Sequence, residues 1–211
     1  MGPAARIVKT GWMQGKFSTN TERVEAFSDG VLAVIITIMV LELRPPAGTD
    51  LRSAIDALPS VAVYALSFVF VGIYWNNHHH MLRASRGVDG LAMWANLDLL
   101  FWLSLVPFAT AWLGRNPGAV GPTVVYSAIL LLDGIAYTLL QLALVRVNGR
   151  DTPFAKAVAV DVKGWASLAL YVIAIAVAFV LPPVADAIIV AVAILWLIPD
   201  RRFEPLITNE R

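Results

Sequence analysis

Long apolar blocks separated by short polar segments dominate the chain. Six blocks stand out, at about residues 22–43, 54–77, 91–113, 122–146, 164–181 and 184–199. Each is roughly 16–25 residues long, and a helix of about 20 residues crosses the ~30 Å hydrocarbon layer of a bilayer. The pattern therefore predicts an all-α membrane protein with six transmembrane helices.

Residues that favour turns separate the blocks and set their limits. The intervening segments all contain Gly or Pro: RPPAGTD (44–50), RASRGVDG (83–90), GRNPGAVG (114–121), NGRDTP (148–153) and LPP (181–183). Thr19 and Glu22 have the spacing of a capping box, which predicts the start of helix one. Pro107 lies inside helix three, where its ring and missing N–H predict a kink.

Composition supports a membrane location. Of 211 residues, 58% are hydrophobic and 15% are charged, and the mean hydropathy is +0.71. A soluble domain of this length needs more polar surface. The absence of cysteine excludes disulfides and thiolate-ligated metal sites. We expect an N-terminal leader at 1–21, without the apolar region of a signal peptide, a transmembrane domain at 22–199 and a tail at 200–211.

The distribution of Lys and Arg predicts the orientation of the chain. With six spans and the N-terminus inside, thirteen of the sixteen Lys and Arg lie on the inner side, and only Arg44, Arg52 and Arg115 lie outside. Positive charge concentrates in cytoplasmic loops. Both termini are therefore expected in the cytoplasm. The net charge of +1 gives no indication of a nucleic-acid partner.

Helix one carries charged residues, among them Arg23 and Asp29, beside its apolar run. Charge next to hydrocarbon is costly, so such residues usually have a role. Steps of three and four from Arg23 trace one stripe along the helix, through Phe27, Gly30, Val34, Thr37, Leu41 and Arg44.

Two interpretations of this helix stay open from the residues alone. In the first, Asp29 is a buried, paired residue that steadies the bundle, and Thr37 bonds its own backbone. In the second, Val34, Thr37 and Leu41 form a pore wall whose apolar rings gate by dewetting. The second requires an oligomer, because one helix cannot form a ring.

The segment RVEAFSDG, followed by VLAVIITIMVLEL, resembles the Arg-x-x-x-Phe-Ser-Asp signature of the transmembrane protein 175 family. This family comprises lysosomal potassium channels and their bacterial relatives. NNHHH in helix two and WANLDLLFWLSLVPFAT in helix three extend the resemblance over the first half of the chain. The resemblance implies a homotetramer in the bacterial plasma membrane, with helix one lining a potassium-selective, leak-type pore. It also implies passive conduction without a cofactor and without a re-entrant selectivity-filter loop.

The resemblance further implies roles for particular residues. The selectivity and gate positions fall on Val34, Thr37 and Leu41, the stripe that helical spacing also identifies. Many relatives have Ile or Leu at the constriction where this chain has Val34. A network that holds helix one in place is implied for Arg23, Phe27, Ser28, Asp29, His78, His79, Trp94, Asn96 and Asp98.

The three consecutive histidines, His78, His79 and His80, suggest a metal site at first sight. Adjacent residues on a helix point about 100° apart, so three in a row cannot converge on one ion. We therefore expect no metal there, and favour a helix cap or a proton-sensitive contact with Asp29.

Asp98 and Asp133 are the remaining acids inside predicted spans. The structural interpretation is a buried acid that is hydrogen-bonded or protonated, and the alternative is a proton relay, with Tyr137 as a possible partner of Asp133 on the same helix face. The alternative function is thus a proton-coupled secondary transporter, although matched broken helices and inverted repeats are absent from the sequence. We expect no enzyme, because no HExxH, nucleophile elbow or comparable motif occurs.

Overall fold

A computed structural model describes residues 11–198 of the chain, with side chains from Thr21 onward. The predicted tail at 200–211 and the first ten residues of the predicted leader lie outside this range. Within it the chain forms α-helices and no strands. The helices are α1 (Gly11–Leu41), α2 (Leu51–Asp56), α3 (Leu58–Ala84), α4 (Gly90–Ser104), α5 (Val106–Arg115), α6 (Val120–Asn148), α7 (Pro153–Ala159), α8 (Val162–Ala178) and α9 (Pro182–Leu197).

Five helical segments are long and apolar enough to cross a membrane. They are Thr21–Leu41, Leu58–Ala84, Gly90–Arg115, Val120–Asn148 and Pro153–Ala178. The sixth apolar block forms α9, which has 16 residues and is short against the ~20 that a full crossing takes. The all-α membrane class is confirmed, and a sixth crossing stays a prediction.

Several predicted boundaries were wrong. Helix one begins at Gly11 rather than at the Thr19 capping box. Helix α3 continues to Ala84, beyond the apolar block that ends near residue 77, and the three histidines are helical, as expected. The short helices α2 and α7 follow the turn segments, because Asp50 and Thr152 accept hydrogen bonds from backbone N–H groups three residues later and act as N-caps.

The kink at Pro107 is confirmed as a break in the helix. Helix α4 ends at Ser104 and α5 begins at Val106, so Pro107 occupies the first turn of α5. Proline is tolerated there because the first backbone N–H groups of a helix have no intrahelical acceptor. Helix α5 packs against α3, α6 and α1.

Helix α6 is the centre of the bundle, with α4 and α8 packed against it and α9 packed on α8. The largest fully buried side chains along it are Tyr126, Leu130, Leu140 and Leu144. Helix α1 lies at the edge and contacts α3, α4 and α5 only from one side. Its opposite side is therefore uncovered by residues 21–198 of the same chain.

A buried hydroxyl cluster joins three of these helices. Thr110 of α5 donates to Ser67 of α3 (2.7 Å), and Ser67 lies 2.8 Å from the hydroxyl of Tyr126 on α6. Interhelix hydrogen bonds of this kind fix the rotation of helices that have no hydrophobic driving force between them in lipid. The cluster thus links α6 to α3 and α5, the two helices of this group that contact α1.

Candidate functional site

Helix α1 has two sharply different faces. Ser28, Leu32, Ile35 and Met39 repeat at helical spacing and are almost completely buried against the bundle. The members of the predicted stripe within α1 lie on the other face and are all exposed, as is Arg44 beyond the end of the helix: Arg23, Phe27, Gly30, Val34, Thr37 and Leu41. The exposed fractions reach 54% at Val34 and 78% at Leu41. The stripe is thus the uncovered face of the edge helix.

Thr37 has a defined orientation on this face. Its hydroxyl donates a hydrogen bond to the backbone oxygen of Val34 at 2.9 Å. This is the self-bonding geometry of the first interpretation. It does not exclude the second, because a hydroxyl that has donated its only hydrogen keeps its oxygen lone pairs for another partner. The side chain can accept from water or coordinate a cation beyond the helix surface.

A groove of about 930 Å³ runs between α1 and α5 beside the stripe. Phe27, Val34, Ile38, Phe108 and Trp112 are among its lining residues, so its walls are mainly apolar. At the C-terminal end of α1, Arg115 and Glu42 form an ion pair at 2.8 Å. The groove therefore has a charged end and an apolar length.

Three residues of the predicted network meet in a buried cluster. Asn96 of α4 donates to Ser28 of α1 at 3.0 Å, and its side-chain oxygen lies 2.7 Å from Nε2 of His78 on α3. The Ser28 hydroxyl has one hydrogen, which goes to the carbonyl of Val24 at 2.8 Å rather than to the more distant Asn96 oxygen at 3.4 Å. The cluster ties the edge helix to two neighbours.

Asp29 and His79 belong to a second, less buried cluster. Trp75 donates its indole N–H to Asp29 at 2.9 Å. Nδ1 of His79 lies 2.6 Å from a carboxylate oxygen of Glu25, which is also 3.8 Å from Arg83. Sequence reasoning missed Trp75 and the role of Glu25. The spacing in the sequence indicated these pairs of neighbours. Glu25 and Asp29 lie four residues apart on one helix, Trp75 and His79 lie four apart on the other, and residues four apart share a helix face.

The other predicted network members are not brought together within one chain. Arg23, Phe27 and Trp94 are exposed, the last by 73%, and Asp98 is half-exposed. None of these four side chains makes a hydrogen bond or an ion pair with another residue in the described range 21–198. Their place in the network stays a prediction.

Asp133 lies at the centre of α6 and is completely buried. Neither carboxyl oxygen has a hydrogen-bond partner among residues 21–198. Tyr137 was suggested as a partner of Asp133 but is not hydrogen-bonded to it, and the Tyr137 ring makes an edge-to-face contact with Tyr74 at 5.9 Å.

Comparisons with known proteins place these features in a family. The model of the family described as "Endosomal/lysosomal potassium channel TMEM175" matches residues 23–107. A Chryseobacterium protein named as a potassium channel is 47% identical over 182 residues, which span 86% of this chain and 95% of the relative. The chain belongs to the TMEM175 family. The recognition from the Arg-x-x-x-Phe-Ser-Asp signature is thereby confirmed.

Other members of the TMEM175 family match over much of the chain. A Streptomyces collinus protein, also named a potassium channel, is 34% identical over 64% of this chain and 72% of its own length. The crystal structure of a lysosomal potassium-selective channel TMEM175 homolog from Chamaesiphon minutus matches with a TM-score of 0.76 and 28% identity, over 86% of this chain and 98% of that one. The TMEM175 fold is shared, and membership in a family of ion channels means that the protein is not an enzyme.

Vertebrate relatives match over a shorter stretch. The human protein, named an endosomal/lysosomal proton channel, is 34% identical over 46% of this chain, and the match spans 22% of the human protein. The chain thus corresponds to one part of the longer vertebrate proteins.

Proposed function

We propose that this protein is a potassium-selective, leak-type cation channel that conducts passively as a homotetramer. In each subunit α1 lines the central pore, and Val34, Thr37 and Leu41 form its narrow part. The apolar block that includes α9 completes a sixth crossing, and both termini lie in the cytoplasm of a bacterial cell.

The uncovered face of α1 is the observation that carries this proposal. The face combines apolar side chains with Arg23, Gly30 and Thr37, whereas a helix side turned to lipid has little use for arginine and threonine. Four copies arranged about an axis would place this face on a shared water column. The names of the bacterial relatives and of the Chamaesiphon structure support potassium as the ion.

Within such a pore, the stripe supplies two functions. Rings of Val34 and Leu41 would make constrictions that exclude water when narrow. Each Thr37 hydroxyl has already donated its hydrogen to Val34, so a ring of Thr37 oxygens would turn its lone pairs towards a partly dehydrated cation. Selectivity is thus assigned to Thr37 and the barrier to its apolar neighbours.

Passive conduction is favoured over a proton-coupled carrier by the positions of the two acids. Asp98 is half-exposed on α4, and Asp133 is buried on α6 without a hydrogen-bond partner among residues 21–198. No hydrogen-bonded chain of described residues links them, as a proton relay would require.

Ion flux into liposomes under a potassium gradient tests the pore residues. Thr37→Ala should lower the potassium-to-sodium permeability ratio because the coordinating oxygen is lost, and Thr37→Ser should retain it. Val34→Ala should raise the leak, since the constriction widens. Thr138→Ala is a matched control, because Thr138 makes a similar backbone hydrogen bond, to Gly134 at 2.9 Å, on the central helix α6.

Two results contradict the proposal. In the first, Thr37→Ala and Val34→Ala are well folded and match the parent protein in permeability ratio and conductance, and the stripe is then not part of the pore. A monomer in mild detergent and in liposomes, measured by native mass spectrometry and single-molecule bleaching, rules out a shared axial pathway.

A further inference from the structure

The N-terminal half of the spanning part of α1 and the C-terminal part of α3 bring three metal-ligating groups together. The donor atoms of Glu25, Asp29 and His79 all lie within 4.8 Å of one another. Glu25 and Asp29 are one turn apart on α1, and His79 faces them from α3. These groups belong to neither the stripe nor the buried Ser28 cluster.

Nδ1 of His79 and a carboxylate oxygen of Glu25 are close enough to share a proton or a metal ion. Nδ1 of His79 is inaccessible to solvent and makes no well-aligned hydrogen bond, although Glu25 oxygen lies only 2.6 Å away. Nitrogen and carboxylate oxygen at this distance are stable together only with a proton or a metal ion between them. Arg83 supplies positive charge to Glu25 only from 3.8 Å, and its side chain is largely exposed.

We propose that Glu25, Asp29 and His79 form a site for one transition-metal cation of the zinc class, which bridges α1 and α3. Donor atoms on a tetrahedral zinc ion with bonds of about 2.0–2.1 Å lie about 3.4 Å apart. Binding therefore requires the three donors, now within 4.8 Å of one another, to adjust to that spacing. Three protein ligands leave the fourth position for water, as in open zinc sites.

The donor set selects the class of ion. Imidazole nitrogen with two carboxylates suits zinc and its neighbours, whereas magnesium and calcium take all-oxygen sets with six or more ligands. The indole N–H of Trp75, which donates to Asp29 at 2.9 Å, orients this carboxylate in the manner of an outer-shell partner. The second Asp29 oxygen stays available for the ion.

The argument from the three histidines predicted no metal there, and this proposal departs from that prediction at His79. That argument excluded convergence of His78, His79 and His80 on one ion, whereas here a single histidine of α3 meets two carboxylates of another helix. Nε2 of His78 is engaged with Asn96 at 2.7 Å, and His78 is not a member of the cluster.

Zinc titration of the full-length chain in detergent, with any affinity tag removed, tests the site. Calorimetry should show one zinc ion bound per chain, unaffected by millimolar magnesium. Glu25→Gln and His79→Ala should each weaken binding at least about 10-fold, since even loss of an outer-shell partner costs 10–100-fold. His80→Ala is the matched control, because it removes the adjacent histidine of the same helix and should bind zinc like the parent.

Thermal unfolding provides a second measurement. Zinc should raise the melting temperature of the parent and of His80→Ala, because a ligand that binds only the folded state stabilises it. The shift should be absent in His79→Ala and in Glu25→Gln. Absence of zinc binding by the parent, or equal affinity in the parent and both cluster variants, overturns the proposal. None of these readouts depends on channel activity.

Discussion

Replacement of Asn96 by alanine is the sharpest test of how the edge helix is held. Asn96 is buried on α4 and forms hydrogen bonds with both Ser28 of α1 and His78 of α3. Among residues 21–198 it is the only side chain that links these two residues. Asn96→Ala removes the donor for Ser28 and the partner of His78 in one step. We expect the loss to weaken the attachment of α1 to the bundle.

The expected size follows from the number and quality of the bonds. Interhelix hydrogen bonds in membrane bundles contribute about 0.6 kcal/mol on average and up to about 1.7. Asn96 makes two short ones, at 3.0 Å and 2.7 Å, so the direct loss is about 1–3 kcal/mol. Nδ1 of His78 also has no hydrogen-bond partner, so Asn96→Ala leaves the whole buried ring unpaired and adds about 1 kcal/mol.

The sum, about 2–4 kcal/mol, corresponds to a roughly 30- to 700-fold change in the unfolding equilibrium. Reversible unfolding of the purified protein in mixed micelles, followed by circular dichroism at fixed protein concentration, measures it. Asn77→Ala is the matched control. Asn77 lies on α3 but bonds only the backbone oxygen of Ile73 in its own helix, at 2.9 Å, so its loss should cost less than about 0.5 kcal/mol.

A double-mutant cycle separates the Ser28 bond from the rest. Ser28→Ala combined with Asn96→Ala should show a coupling of about 0.6–1.7 kcal/mol. Equal stability of Asn96→Ala and Asn77→Ala, or additive effects of Ser28→Ala and Asn96→Ala, would refute the reasoning.

Two further predictions concern Asp133 and the charged end of the groove. Asp133→Asn should retain the fold and the potassium flux, because the carboxyl group makes no hydrogen bond that the substitution could break. Loss of flux in the folded variant would favour the alternative hypothesis of a proton-coupled transporter. Glu42→Gln should cost less than about 1 kcal/mol, since its pair with Arg115 is well exposed. If α1 lines the pore, Glu42→Gln should also reduce single-channel conductance more at low than at high ionic strength, because salt screens a charge at the pore mouth; equal reductions would contradict this placement.

The stripe on α1 shows how far local periodicity reaches. Steps of three and four along the sequence identified Val34, Thr37 and Leu41 as one face, and all three are exposed together in the folded chain. This succeeded because the angle between successive residues of a helix is constant. Periodicity contains no information on what faces the stripe, so the pore itself stays a proposal.

Polar partners were harder to predict than helix faces. Ser28 and Asn96 were both expected in a network and do meet, but Asp29 bonds Trp75, which was not expected. Pairs of this kind depend on how two distant helices are rotated and shifted against each other. A one-residue shift of α3 would turn Trp75 away by about 100°.

By itself, the sequence determined that the protein is helical and embedded in a membrane, where Pro107 breaks a helix, and which side chains share a face. Each of these depends on properties of neighbouring residues: apolar length, the missing N–H of proline and the helical repeat. Only the tertiary structure decided that α1 lies at the edge with one face uncovered, that Asp133 has no partner among the described residues, and that Glu25, Asp29 and His79 converge. These depend on the packing of helices far apart in the chain, which no local pattern specifies.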